Sequence, residues 1–427
     1  MILEMVMEAL FALMDIVFVS RVSTQAVATV GLTEVVLMVI ESLALGIAMA
    51  ATAMVSRRIG EKNVEGACKA ATQTIFLGLI ISIPLGIAAF VGAGHILRLM
   101  GGSESLIEEG IWYTRLILGF NGILFFLFIL NAIFRGAGNA AIAMRTLILA
   151  NGLNIILDPC FIFGLGPFPE MGGTGAAVAT SIGRGAGVVY QLYHLLSGKS
   201  LIALRKEHFV LKPEILRKLF NVSLGGAGQF LIATASWTFI VRIIAQFGDQ
   251  ALAGYTIAIR IIIFTILPAW GMANAAATLV GQNLGAQKPD RAEASVWKAA
   301  FYNMIFLVSI SIVFFICAPV FIGWFSEDPG VVKAGVDGLR IICLGYVFYA
   351  YGMVISQAFN GAGDTRTPTL INFVAFWMVQ IPLSYVLANT FGFETSGAYW
   401  GIAIAESTLA MMAIYLFRKG KWKTQTI

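Results

Sequence analysis

Four acids stand where apolar helices would have to bury them: Asp15, Glu34, Glu41 and Asp158. An ionisable side chain inside a lipid-solvated helix is costly, so each is a functional candidate. The sharpest local pattern is Asn154-Ile155-Ile156-Leu157-Asp158-Pro159. Asn154 and Asp158 are four apart and share one helix face. Pro159 cannot donate to the carbonyl of Ile155, which leaves that oxygen open nearby. A carboxylate, an amide oxygen and a loose carbonyl suit a hard cation such as sodium. The carboxylate could carry a proton instead. The plainer reading is an Asn–Asp pair that tethers neighbouring helices. Asp15 lies among apolar neighbours in Leu13-Met14-Asp15-Ile16-Val17 and must face the bundle interior, unless it sits hydrated at the outer interface.

Glu34 and Glu41 are seven apart, on one helix face and about 10.5 Å from each other. They could line a cavity that attracts cations, or be neutralised by Arg184 or Arg260. Arg184, in mid-helix, could instead hold Asp158 or Glu41 ionised. Gln380 completes the candidate cavity set. The three histidines, His95, His194 and His208, are scattered, and so are the four cysteines, which form no CxxC pair. Metal ligation by the histidines, disulfides and catalytic residues are not expected. Gly164-Leu165-Gly166 and Gly172-Gly173-Thr174-Gly175 do not follow a strand, so a nucleotide-binding reading fails, and no cofactor is expected.

The elements that must position these residues are membrane helices. Of 427 residues, 59% are apolar and 12% charged, with mean hydropathy +0.86. The fold class is all-α integral membrane. Periodicity and apolar run length predict twelve transmembrane helices. The first six cover 1–20, 27–56, 70–97, 110–134, 141–165 and 174–197. The second six cover 219–247, 252–281, 294–323, 333–358, 367–391 and 396–418. Pro84, Pro268, Pro319 and Pro382 are kink candidates. Gln25, Ala26 and Ala28 recur at Gln250, Ala251 and Ala253, and Phe134-Arg135-Gly136-Ala137-Gly138 recurs at Phe359-Asn360-Gly361-Ala362-Gly363, both at an offset of 225. The chain is therefore two pseudo-symmetric six-helix lobes, 1–197 and 219–418, with a linker at 198–218 and a tail at 419–427. The same offset carries the four acids onto Ile240, Ile259, Ile266 and Leu383, so ion handling is expected in the first lobe alone.

One set of connections and the tail hold 20 of the 28 Lys and Arg. The opposite connections are acidic, with Glu104, Glu108, Glu109, Glu170, Asp249, Glu327, Asp328 and Glu394. The basic side faces the cytoplasm, which puts both termini there and the protein in the plasma (inner) membrane. The net charge of +5 then reflects orientation, with no nucleic-acid partner. The homologous helix of the second half has a run-in, Pro213 to Ser223, for which Met1 leaves no room, so a start upstream of Met1 is expected.

The ordered pieces Val17-Phe18-Val19-Ser20-Arg21, Gln25-Ala26-Val27-Ala28, Ile59-Gly60, Phe134-Arg135-Gly136-Ala137-Gly138 and Gly175-Ala176-Ala177 form one half of a pattern. Gln250-Ala251-Leu252-Ala253-Gly254-Tyr255, Gly281-Gln282-Asn283-Leu284-Gly285-Ala286 and Gly361-Ala362-Gly363-Asp364-Thr365 form the other. Over nearly its full length the chain resembles the multidrug and toxic compound extrusion (MATE) transporters. The resemblance implies a V-shaped pair of lobes around a central cavity, cation-coupled antiport and a monomer. The family's first-helix acid falls on Asp15. The most similar subgroup, with a first-lobe Asp/Asn/Asp site, adds Asn154 and Asp158, and a sixth-helix Thr that falls on Thr180. A second subgroup uses acids of the seventh and tenth helices. Here those helices offer only Asp337, near an end, which favours the first lobe.

The expected function is efflux of amphipathic, cationic organic compounds in exchange for protons or sodium, by alternating access. Sodium, if used, would meet Asp15, Asn154 and Asp158. A flippase for lipids or lipid-linked saccharides is the alternative within transporters, but no cationic cavity and no extra helices are evident. An integral-membrane enzyme is disfavoured, because no His, Cys or acid constellation gathers near one face.

Overall fold

The computed structural model describes residues 1–7 and 23–427. Among the described residues every regular element is helical. Residues 2–7 form α1. Then come α2 (Thr24–Gly60), α3 (Val64–Leu99), α4 (Glu104–Gly119), α5 (Asn121–Gly136), α6 (Ala140–Phe163) and α7 (Gly173–Leu196). The second half holds α8 (Pro213–Ala245), α9 (Asp249–Gly285), α10 (Pro289–Gly323), α11 (Pro329–Leu344) and α12 (Tyr346–Ala362). Two more helical segments follow, Arg366–Thr390 and Glu394–Arg418. Lipid offers the backbone no hydrogen bonds, so each crossing segment must satisfy its own groups as a helix.

Among the described residues, nine helices are long and apolar enough to cross a membrane, and the bent pair α11–α12 makes a tenth span. Helix α7 is long enough at 24 residues, but Arg184, Gln191 and His194 dilute its apolar character. The sequence-predicted segment 1–20 lies largely outside the described residues. The chain forms two compact units, one essentially Leu3–Ala227 and the other Gly228–Ile427.

The two units repeat the same backbone devices at the 225 offset. The turn after α2 passes through Lys62 at φ 59°, and the turn after α9 through Gln287 at φ 57°. Gly138 and Gly363, each last in its Phe-x-Gly-Ala-Gly motif, have φ 84° and 88°, where a side chain would be strained. The middle glycines serve close helix approach. A Cβ on Gly136 would come 3.2 Å from the Thr52 carbonyl oxygen, and one on Gly361 would overlap the carbonyl oxygen of Ala277, the residue matching Thr52. Phe134 and Phe359 are both buried beneath the motif.

Helix starts are capped alike as well. The Ser103 hydroxyl accepts from the Leu106 N–H at the start of α4. The matching Asp328 carboxylate accepts from Gly330 and Val331 at the start of α11. The fourth span of each half is broken at one matching place, Phe120 between α4 and α5 and Gly345 between α11 and α12. The break at Gly345 bends the pair by 58°. The proline kink candidates mark none of these breaks, since α3, α9 and α10 are continuous through Pro84, Pro268 and Pro319. Pro382 lies between two π-helical stretches, Phe373–Gln380 and Val386–Thr390. A π turn accommodates extra residues per turn.

Candidate ion-coupling site

Helix α6 buries one stripe: Ala150, Asn151, Asn154, Asp158 and Ile162. These recur at three- and four-residue intervals, the spacing of a single helix face. The stripe packs on α7, and glycine makes the approach possible. A Cβ on Gly183 would lie 2.6 Å from the Ala150 carbonyl oxygen, and one on Gly175 would lie 2.5 Å from the carbonyl oxygen of Phe161. Thr180, one turn before Gly183, is thereby carried to Asn154.

The result is a buried, hydrogen-bonded trio. The Asn154 amide nitrogen donates to Asp158 Oδ1 at 3.1 Å and to Thr180 Oγ1 at 3.2 Å. Asn154 and Asp158 are fully buried and Thr180 is 7% exposed. Both amide protons of Asn154 are thus committed. Its Oδ1 is buried without a hydrogen-bond partner among the described residues. A buried acceptor without a donor is expensive. A cation or a donating water would satisfy it, beside a carboxylate and a hydroxyl oxygen that suit the same ligand.

The N-terminal segment is tied to these helices. The Asn151 amide donates to the Met7 carbonyl at 2.6 Å, one turn from Asn154. Arg135 pairs with the fully buried Glu4. Asp15 lies outside the described residues, as does Glu8.

Glu34 is exposed on α2, while Glu41 on α2 and Arg184 on α7 are part-buried. Arg260 is exposed and belongs to the second unit. Gln380 is also in the second unit, 2% exposed, with Oε1 lacking a partner among the described residues.

The second unit also corrects the fixed offset. Gly397 presses on Leu387 as Gly175 presses on Phe161, with a Cβ 2.7 Å from the carbonyl oxygen. Leu387 follows Phe161 by 226 positions, one more than 225, and the π turns upstream of it account for the extra residue. On that match Asn154 and Asp158 correspond to Gln380 and Ser384, rather than to Val379 and Leu383. Ser384 is fully buried and donates to the Ala398 carbonyl. The second half therefore keeps an amide and a small oxygen donor at this place, without the charge.

Sequence reasoning passed over Glu406, an acid in the middle of the last apolar helix. The criterion that singled out Asp158 applies to it unchanged. It also passed over the Glu4–Arg135 pair, which only tertiary structure brings together.

Long apolar helices in two internally matched units, with a buried polar trio inside one of them, define a polytopic membrane transporter. The chain matches the MatE family twice, over residues 1–160 and 227–386. It belongs to that family, whose members are transporters and not enzymes. Relatives include the probable multidrug resistance protein NorM of Thermotoga maritima, 28% identical over 99% of this chain and 91% of that protein. The multidrug export protein MepA of Staphylococcus aureus is 21% identical over 98% of this chain and 92% of its own length. A MATE structure in complex with MaL6 superposes with TM-score 0.93 at 26% identity, covering 100% of this chain and 95% of the other. A transporter of the MOP superfamily from Pyrococcus furiosus, described by the reverse polarity of its binding pocket, has TM-score 0.91 at 26% identity, over 99% and 94%. The fold is thus the two-lobed, twelve-helix membrane fold of these transporters.

Proposed function

We propose that the protein is a secondary active multidrug efflux antiporter, exchanging protons or sodium for amphipathic, cationic organic compounds by alternating access. One observation carries this reading: the buried Asn154–Asp158–Thr180 trio, with an Asn154 acceptor left open beside a carboxylate. Asp15 joins the trio on the sequence argument. Ion binding changes the charge of this cluster, and linkage requires that ion and substrate each weaken the other's binding where they compete for one state. The names of the NorM and MepA relatives support multidrug extrusion. Glu34, Glu41, Arg184, Arg260 and Gln380 are the proposed cavity residues. The protein acts as a monomer in the inner membrane, with lobes at 1–197 and 219–418 and both termini cytoplasmic.

The test is efflux of a cationic dye from proteoliposomes under separately imposed proton and sodium gradients, with the full chain and with Asp158→Asn. One gradient should drive efflux, and the variant should fall to the level of empty liposomes. Equal rates for the two proteins would remove Asp158 from coupling. Failure of both gradients to move any dye would overturn multidrug antiport and turn attention to lipid flipping.

A further inference from the structure

The second unit holds an acid that the coupling site does not use. Glu406 stands in mid-helix in Glu394–Arg418, and its Oε2 is buried without a hydrogen-bond partner among the described residues. It lines a cavity of about 40 Å³ together with Tyr346, Tyr349, Trp237, Gly345 and several isoleucines. That volume exceeds the roughly 10–15 Å³ that one water needs. It falls far below the roughly 300 Å³ at which organic ligand sites begin. The occupant is therefore water or an ion, and not the exported compound.

The lining decides which ion. Among the described residues, no Lys, Arg or His lines the cavity. Its oxygens come from one carboxylate and two phenols, a thin shell for a hard metal ion, which takes about six or more. The Tyr346 hydroxyl is also engaged, 3.4 Å from Thr265 Oγ1. Beyond the lining, α11 carries Asp337 near Tyr399, and Cys343 beside Tyr346. Its other charges are Lys333 and Arg340, and Arg340 donates to the Phe315 carbonyl. Helix α12 has no acid or base besides its tyrosines, and Arg366–Thr390 has none after Arg366 except Tyr385. A proton needs only the carboxylate.

The cavity also touches the bend. Gly345 is the residue at which α11 and α12 break by 58°. A Cβ there would lie 3.5 Å from the Ala403 carbonyl oxygen, and Ala403 is one turn before Glu406. A neutral Glu406 lets the apolar walls close on it. An ionised one must recruit water, because nothing in the lining neutralises it. Water drawn in enlarges the space directly under Gly345.

We propose that Glu406 is a proton-binding residue of the second unit, which takes a proton from water and returns it, and whose charge sets the hydration of this cavity and the bend at Gly345. The proposal is independent of the ion used at Asp158.

The test is infrared difference spectroscopy, acid minus alkaline, on the full-length protein in lipid, without substrate or gradient. Wild type should gain a carboxylic-acid carbonyl band at acid pH that Glu406→Gln lacks and Asp158→Asn keeps. Hydrogen exchange across 342–349, corrected for intrinsic rates, should rise with pH in wild type and stay flat in Glu406→Gln. Identical spectra for wild type and Glu406→Gln would overturn proton binding. A pH-dependent exchange rate that survives in the variant would overturn the link to the bend. Should Glu406→Gln fail to assemble, Glu406→Asp must move the midpoint of the band, and an unmoved midpoint is equally fatal.

Discussion

The two halves agree in backbone and disagree in polar chemistry. Lys62 and Gln287 share one left-handed turn, as do Gly138 and Gly363. Phe120 and Gly345 break the same span. At the same places the charges differ. Glu4 and Arg135 form a buried ion pair in the first unit. Their matches, Gln229 and Asn360, exchange two amide hydrogen bonds of 2.9 and 3.1 Å in the second. Asn154 and Asp158 become Gln380 and Ser384. On the Gly175–Gly397 match, Arg184 becomes Glu406. Steric needs at turns and close approaches admit few residues, so duplication preserves them. A polar position only requires that its partner change with it, so charge moves between the halves while the shared turns and close approaches stay.

The largest effect should come from making one half resemble the other incompletely. Glu4→Gln leaves Arg135 as an uncompensated buried charge, a change that costs on the order of 3–5 kcal/mol. Adding Arg135→Asn restores the amide pair seen at Gln229 and Asn360, and should recover most of the loss. Thermal unfolding of the purified variants reads both. If the double variant melts as low as Glu4→Gln alone, the two pairs are not interchangeable and the comparison fails at its first point.

A smaller effect separates the motif glycines. Gly361→Ala pushes a methyl into the Ala277 carbonyl, which is backbone and cannot step aside. Overpacking of this kind costs about 1–3 kcal/mol. Gly136→Ala meets its nearest atoms at 3.2 Å and should cost less, because a few tenths of an ångström of give suffice. Parallel melting curves should rank Gly361→Ala below Gly136→Ala. The reverse order would mean that the first unit is the more tightly built.

Much of this was legible before the structure. The 225 offset, the long apolar runs and the Asn154/Asp158 spacing each follow from a periodicity that sequence displays directly. The trio needed tertiary contact, because nothing local shows that Gly183 lets α7 close on Ala150. The breaks at Phe120 and Gly345 were invisible: Gly-Phe-Asn and Leu-Gly-Tyr inside apolar runs lack the proline that marks an expected kink. The π stretches were equally hidden, so a fixed offset reached Leu383 where packing selects Ser384. Glu406 was visible as a lone acid in an apolar helix, but its cavity, made by residues from distant helices, was not.

The smallest effect concerns the caps of the broken spans, and it is a matter of pH. The Asp328 carboxyl is held below the usual carboxylate range because its ionised form accepts the Val331 N–H, the Gln250 amide and the Gly330 N–H. A lowered folded-state value means that the stabilisation is present above the ordinary aspartate value of about 3.9 and is lost as pH falls through the folded value. The matching cap, Ser103, has no proton to gain over that range. Local opening at the start of α11 should therefore increase on acidification through loss of the cap itself, whereas at the start of α4 the cap is inert and any acid response belongs to the Arg98–Glu104 pair, whose carboxyl is also held low. Asp328→Asn keeps a capping oxygen but cannot titrate, so it should flatten the acid limb at α11 and leave α4 unchanged. Hydrogen exchange of the 328–336 and 103–111 segments across an acid series, corrected for intrinsic rates, makes the comparison. An acid limb that persists in Asp328→Asn would assign the sensitivity to another group.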